Sequence, residues 1–142
     1  MIRLIKYGSS GYDREVQLRF AVLRKPLHLV FTAEQLAEEE KYIHIGYFEE
    51  EKLIACLMLV PEKSGRIKMK QVAVDPAFQG KGYGSQIVQF AEQYAKEKKY
   101  TLMYCHARDT AVSFYSKLGY TITGEPFTEV TIPHRIMEKH LS

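Results

Sequence analysis

A chain of 142 residues lies in the range of one domain and is long enough to close an apolar core without staples, so a single domain over 1–142 is expected. With 46% hydrophobic and 26% charged residues, the composition is that of a folded globular protein and excludes a disordered one. The net charge of +3, from 20 basic and 17 acidic residues that are dispersed rather than clustered, suits a small anionic ligand and argues against nucleic acid.

Ile2 to Tyr7 alternates as a strand does, and the turn material Gly8-Ser9-Ser10-Gly11 follows. Val16, Phe20 and Leu23 then recur at helical spacing until Pro26 stops the helix. Thr32, with Gln35 three residues on, is placed to cap a second helix over 33–41. Tyr42 to Phe48 and Leu53 to Val60 flank the turn Glu49-Glu50-Glu51-Lys52 and predict an antiparallel hairpin.

Arg66 to Asp75 reads as a third strand whose apolar parity changes midway. Ile67 and Met69 share one face, while Val72 and Val74 are out of step with them. Two explanations stand: a β-bulge near Lys70 or Gln71, or a central strand buried on both faces. Pro76 closes the strand. Ile87, Val88, Ala91 and Ala95 then form a helical stripe, with Lys96, Lys98 and Lys99 toward the C-terminal end.

Thr101 to Ala107 predicts a short buried strand, with Asp109 as N-cap of a helix through Ala111, Phe114, Tyr115 and Leu118 that Gly119 ends. Tyr120 to Gly124 and Arg135 to His140 are expected as two last strands, separated by a loop containing Pro126 and Pro133. The order predicts a mixed α/β sheet with helices on both sides.

Cys56 and Cys105 lie in apolar runs, as buried free thiols of a reducing compartment do. No signal-peptide pattern opens the chain and no run approaches the ~18 apolar residues of a membrane span, so a cytoplasmic protein without membrane contact is expected. No histidine, cysteine or carboxylate set has ligand spacing, and no metal is expected. Exposed strand edges aside, the sequence is silent on oligomeric state.

The chemistry is carried by Gly80, Gly82 and Gly84, which stand between a strand and the strongest helix. Successive backbone N–H groups and the positive end of the helix can converge there on a pyrophosphate; a plain flexible turn is the other reading of the glycines alone. The ending of a P-loop and the first-strand setting of a dinucleotide fold are both absent.

Val72-Ala73-Val74-Asp75-Pro76 followed by Gln79-Gly80-Lys81-Gly82-Tyr83-Gly84 resembles the acetyl-CoA signature of the GNAT superfamily. Ala111, Phe114-Tyr115 and Lys117-Leu118-Gly119-Tyr120 resemble its second motif. The resemblance implies an acetyl-CoA-dependent N-acetyltransferase with a mixed, mostly antiparallel sheet splayed near Val72. It implies that backbone N–H groups of Gln79, Gly80, Lys81, Gly82, Tyr83, Gly84 and Ser85 hold the pyrophosphate and that Val72, Ala73 and Val74 pair with the pantetheine arm. The Val72 N–H is then the oxyanion donor and Tyr115 the acid for the leaving thiolate. Many members place Asn where this chain has Arg108.

Within the superfamily, Pro133-His134, Arg108 and the Leu18-Arg19 and Leu23-Arg24 pairs resemble the glyphosate N-acetyltransferase branch. That implies His134 as general base, and Arg24, Lys70 and Arg108 as cations gripping a small amine that bears a carboxylate or phosphonate. Acetylation of protein or peptide amines, and a non-catalytic CoA-binding module, are the competing readings.

Overall fold

The computed structural model describes all residues from Met1 to Ser142. In chain order the elements are β1 (Ile2–Ile5), α1 (Ser10–Arg19), α2 (Ala33–Glu38), β2 (Ile43–Glu49), β3 (Lys52–Pro61) and β4 (Arg66–Val74). Then come α3 (Tyr83–Glu97), β5 (Leu102–Arg108), α4 (Val112–Lys117), β6 (Thr121–Glu129) and β7 (Ile132–His140). The sheet has seven strands in the order β1-β2-β3-β4-β5-β7-β6. The β1–β2, β2–β3, β5–β7 and β6–β7 pairs are antiparallel; β4–β5 is parallel, joined through α3 as a parallel pair requires. The chain forms two compact units, Met1–Val60 with Gln71–Ala91 and Pro61–Lys70 with Glu92–Ser142.

In the first unit, Ser9 caps α1 by accepting from the Tyr12 N–H at 3.2 Å. The helix does not stop cleanly at Pro26. It widens into a π turn over Phe20–Arg24 and tightens into a 3₁₀ turn over Lys25–Leu27, which leaves through His28 at φ +57°. Thr32 and Gln35 form the expected capping box, worth about 1 kcal/mol, and α2 ends at Glu38 before a 3₁₀ turn over Glu39–Lys41. The β2–β3 hairpin turns through Glu50 at φ +56°. Ile5, Tyr12, Phe48, Leu53, Cys56 and Ala73 make the core of this unit.

Gln71, at φ +52°, is the backbone irregularity of a bulge within β4. Burial around it does not follow the valines: Ala73 is buried, while Val72 and Val74 are half-buried. On α3 the stripe Ile87, Val88, Ala91 and Ala95 is fully buried.

In the second unit, β4 and β5 pair from Arg66↔Leu102 to Met69↔Cys105. Ile67, Met69, Met103, Cys105, Ala107 and Met137 are buried, so Lys68, Tyr104, His106 and Arg108, one residue out of phase, lie on the opposite face. Asp109 does not cap α4. It opens a 3₁₀ turn over Asp109–Ala111 whose carbonyl accepts from the Val112 N–H, so backbone fills the role expected of the carboxylate, and Ala111 is the N-cap.

The end of the chain corrects the sequence reading. In place of two short strands and a long loop, β6 and β7 form a hairpin turning at Val130 and Thr131, both in the left-handed region at φ +45° and +68°. Pro126 falls in the register shift between Thr123 and Phe127, on the edge strand. Pro133 lies one residue past the last β5–β7 pair, Arg108↔His134. Neither proline removes a hydrogen bond that a ladder on both sides would need.

Candidate functional site

The first unit holds the glycine loop. Asp75 caps the 3₁₀ turn Pro76–Phe78 by accepting from the Ala77 N–H at 2.9 Å, and Gln79 Nε2 donates to the Val74 carbonyl at 2.9 Å. These bonds fix the path from β4 into the loop. Gly80 and Gly82 have φ +77° and +92°, and no atom lies within 4 Å of a Cβ placed on Gly80. α3 starts at Tyr83, directly after these glycines, so its first N–H groups have no intrahelical acceptor.

The loop is braced from behind by an aromatic group. Tyr83 packs edge-on against Tyr47 and Phe78, and its hydroxyl donates to Glu49 Oε1 at 2.9 Å, which raises its pKa. Tyr47 donates to Gln86 Oε1 at 3.0 Å. A pyrophosphate fits this loop: unsatisfied donors, a positive helix end and two glycines whose conformations side chains resist. Gly82→Ala should raise the Kd for coenzyme A about tenfold or more, read by calorimetry, while the melting temperature falls by only a few degrees.

The second unit gathers polar side chains on one face of β5, β7 and β6. Arg108 and His134 are directly opposed across β5–β7, and Phe127 opposes His134 across β6–β7. His134 is 3% exposed, and its Nδ1 donates to the Ile132 carbonyl at 2.9 Å. A carbonyl can only accept, so Nδ1 carries a proton, and in the neutral ring Nε2 is the basic nitrogen. Glu129 lies alongside, with Oε2 3.8 Å from His134 Nε2 and Oε1 accepting from His106 Nδ1 at 3.0 Å. The Phe127 ring packs against both imidazoles, at 5.1 and 5.8 Å between centroids.

Lys68 reaches this face as well, 3.4 Å from His106 Nδ1; burial and neighbouring Lys70 lower its pKa. Lys70 lies two residues along β4, on the same side. Burial of Glu129 is outweighed by the hydrogen bond from His106 and by the charges of His106, His134 and Lys68, so its pKa is lowered and it stays ionised.

Tyr115 is also in the second unit, on α4, 7% exposed and packed edge-on against Phe114 and Tyr120. Burial, then Cys105, pushes its phenol up, so it remains a proton donor. Burial lifts the Cys105 thiol to about 12 against the opposing pull of Lys68, and burial also raises Cys56 well above the usual thiol range, so neither is a thiolate. Both are free and buried.

Arg24 belongs to the first unit. It ends the π turn, with its guanidinium over Phe31 at 4.9 Å. Of the sequence candidates, Lys70, Arg108, Tyr115 and His134 therefore share one unit, and Arg24 shares the other with the glycine loop. Glu129 and Lys68 were not singled out, and His106 was noted only as a neighbour of Arg108. Lys68 had a signal, alternating with buried Ile67 and Met69 in step with Lys70. Glu129 had none, because it fell in the span read as loop.

A second polar cluster is wholly buried in the first unit. Arg19 bridges Glu15 at 3.2 Å and Glu39 at 2.8 Å, Tyr12 donates to Glu39 at 2.7 Å, and His44 Nδ1 meets Glu15 at 2.8 Å. Glu15, Glu39 and His44 have the spacing of a metal site, but the Arg19 guanidinium already holds both carboxylates and would repel a divalent ion.

No helix is long and apolar enough to cross a membrane. The profile of the Acetyltransferase (GNAT) family matches residues 12–120. The uncharacterized protein YyaT of Bacillus subtilis is 36% identical over 75 residues, 53% of this chain; the match spans about half, 51%, of YyaT. A candidate N-acetyltransferase from Lactobacillus plantarum superimposes with a TM-score of 0.84 at 26% identity, covering 99% of each chain. An aminoglycoside 6'-N-acetyltransferase complexed with coenzyme A superimposes with a TM-score of 0.83 at 13% identity, covering 100% of this chain and 97% of that one. The seven-stranded sheet, the glycine loop entering α3 and the family profile over three quarters of its length agree: this chain belongs to the acetyltransferase (GNAT) family.

Proposed function

We propose that the protein transfers an acetyl group from acetyl-CoA to the amine of a small molecule that also bears a carboxylate or phosphonate. The observation that carries this reading is the His134–Arg108 pair, which sets an imidazole lone pair directly across the ladder from a cation. Its likeness to the glyphosate N-acetyltransferase branch points the same way. β4 supplies continuity, passing from Lys68 and Lys70 through the Gln71 bulge to Val72, Ala73 and Val74 and into the glycine loop.

In this reading the loop from Gln79 to Ser85 binds the pyrophosphate, and the Val72–Val74 backbone holds the pantetheine arm. Acetyl-CoA supplies the activated acyl group. Arg108 and Lys70 attract the acidic end of the acceptor, and His134 Nε2 takes a proton from its amine. The Val72 N–H donates to the oxygen that gains charge during attack, and Tyr115 returns a proton to the departing sulfur. The buried free thiols favour a reducing, cytoplasmic setting.

Thiol release measured against amino acids, aminophosphonates, polyamines and peptides tests the substrate class. Turnover concentrated on the acidic small amines is expected; a preference for polyamines or peptides would overturn that class. Tyr115→Phe should lower kcat about a hundredfold with KM for the amine little changed, because a proton donor acts on the leaving group and not on acceptor binding.

A further inference from the structure

We infer that Glu129 is the ammonium anchor of the acceptor site: its Oε2 and His134 Nε2 together grip the substrate nitrogen before its proton is removed. The inference rests on the reading of the His134 face as the acceptor site, and it adds an anion to a face that sequence reasoning furnished only with cations. An amine reaches a neutral solution as its ammonium, so a site lined solely by Arg108, Lys70 and Lys68 would repel the end of the molecule that must react.

The geometry is specific. His134 Nε2 and Glu129 Oε2 are 3.8 Å apart, too far for a hydrogen bond to each other. One nitrogen about 2.85 Å from each would subtend roughly 85°, which two tetrahedral N–H bonds reach with each hydrogen bond bent by about 10–15°. Both receiving atoms are set for it. His134 Nδ1 is committed to the Ile132 carbonyl, which leaves the Nε2 lone pair to accept. Glu129 Oε1 is committed to His106, which turns Oε2 toward His134.

Access and fixation also fit. The Glu129 side chain is 45% exposed, while that of His134 is almost covered, so a ligand meets the carboxylate first and the imidazole behind it. The Phe127 ring beside both imidazoles offers a face on which a cation is welcome. Glu129 forms the last hairpin pair, with Ile132, just before two turn residues held in left-handed backbone. A β-branched pair in that conformation is strained, and strain of this kind is retained where it fixes a position.

The step balances without any further reactant. The ammonium donates one N–H to Glu129 Oε2 and a second to Nε2; that second proton passes to Nε2 and its bonding electron pair stays on nitrogen as the nucleophile. The remaining N–H to Glu129 holds the neutral amine in place. The groups facing this position are Lys68 from β4, Tyr104, His106 and Arg108 from β5, Phe127 from β6 and His134 from β7.

The test compares amines that differ only in charge. β-Alanine is an ammonium at neutral pH, and aminooxyacetate, nearly its isostere, is an uncharged amine; ethylamine and methoxyamine form the same pair without the acidic group. Glu129→Gln should raise KM for the ammonium member of a pair about tenfold to a hundredfold, leaving kcat within about threefold and KM for the uncharged member within about twofold. Glu129→Asp should recover part of the loss, and unchanged coenzyme A affinity shows that each variant is folded. Equal effects on both members, an unchanged KM, or no wild-type turnover of any of the four would overturn the anchor. The split appearing with ethylamine and methoxyamine, but with no advantage for the acidic pair, would support the anchor while removing the acidic substrate class. An acidic preference that Glu129→Gln leaves untouched would do the reverse.

Discussion

His134→Asn should lower kcat/KM for an alkylamine acceptor by about a hundredfold to ten-thousandfold near neutral pH. Asparagine keeps a side-chain N–H close to the position of Nδ1, so the bond to the Ile132 carbonyl and the end of the β5–β7 ladder can persist while the basic Nε2 is lost. His134→Ala should lose as much rate and some stability besides, since the ring is buried and packed against Phe127. The defect has a pH signature. As pH rises toward the value of the amine itself, more acceptor arrives deprotonated, less depends on a base, and the gap between wild type and variant should narrow. Steady-state rates across pH at fixed acetyl-CoA check it; a variant as fast as wild type near neutrality would remove His134 from the proton path.

Arg19→Ala should be the most destabilising single change in the chain, about 3–5 kcal/mol, or a fall of roughly 10–20 °C in melting temperature. Arg19 is fully buried and binds Glu15 and Glu39 together, so removing it leaves two buried carboxylates against the single charge of His44. Glu15 Oε1 already lacks a partner, so its carboxylate is incompletely satisfied even with Arg19 in place. His44 supplies the second positive charge. Its Nδ1 meets the Glu15 carboxylate and its Nε2 meets the Glu39 carbonyl, both at 2.8 Å, so the charged ring, with a proton on each nitrogen, satisfies both acceptors.

Burial alone would lower the pKa of His44, but the hydrogen bond and charge of Glu15 and the Glu39 contacts outweigh it, and the net shift is upward. A raised folded value makes the stabilisation complete below the unfolded value of about 6.5 and lost as pH climbs through the folded one. The melting-temperature gap between wild type and His44→Asn should therefore shrink from mildly acidic to alkaline pH. A gap that widens would contradict the doubly protonated ring.

What the sequence disclosed was whatever is local. The capping box at Thr32 and Gln35, the β2–β3 hairpin and the α3 stripe each depend on residues a few positions apart, and each formed as expected. The break in β4 was also legible: of the two residues expected to carry it, Lys70 or Gln71, it is Gln71 that takes the left-handed conformation. The hairpin of β6 and β7 was hidden because Pro126 and Pro133 read as strand breakers until an edge strand and a ladder end excuse them. Asp109 had the residue type of a cap, but a 3₁₀ turn got there first. The Arg19 cluster joins residues from α1, the turn after α2, and β2, which are too far apart in sequence for any local pattern to connect. Glu129 was hidden with the hairpin that places it beside His134.

Acetyl transfer itself is tested most directly with deuterium-labelled acetyl-CoA, the purified protein and the acidic amine panel, following by mass spectrometry where the label goes. The account predicts stoichiometric thiol release together with label on the amine nitrogen of an acidic small molecule, abolished together in His134→Asn. Coenzyme A binding without thiol release across the whole panel would contradict it and leave a binding module in place of an enzyme.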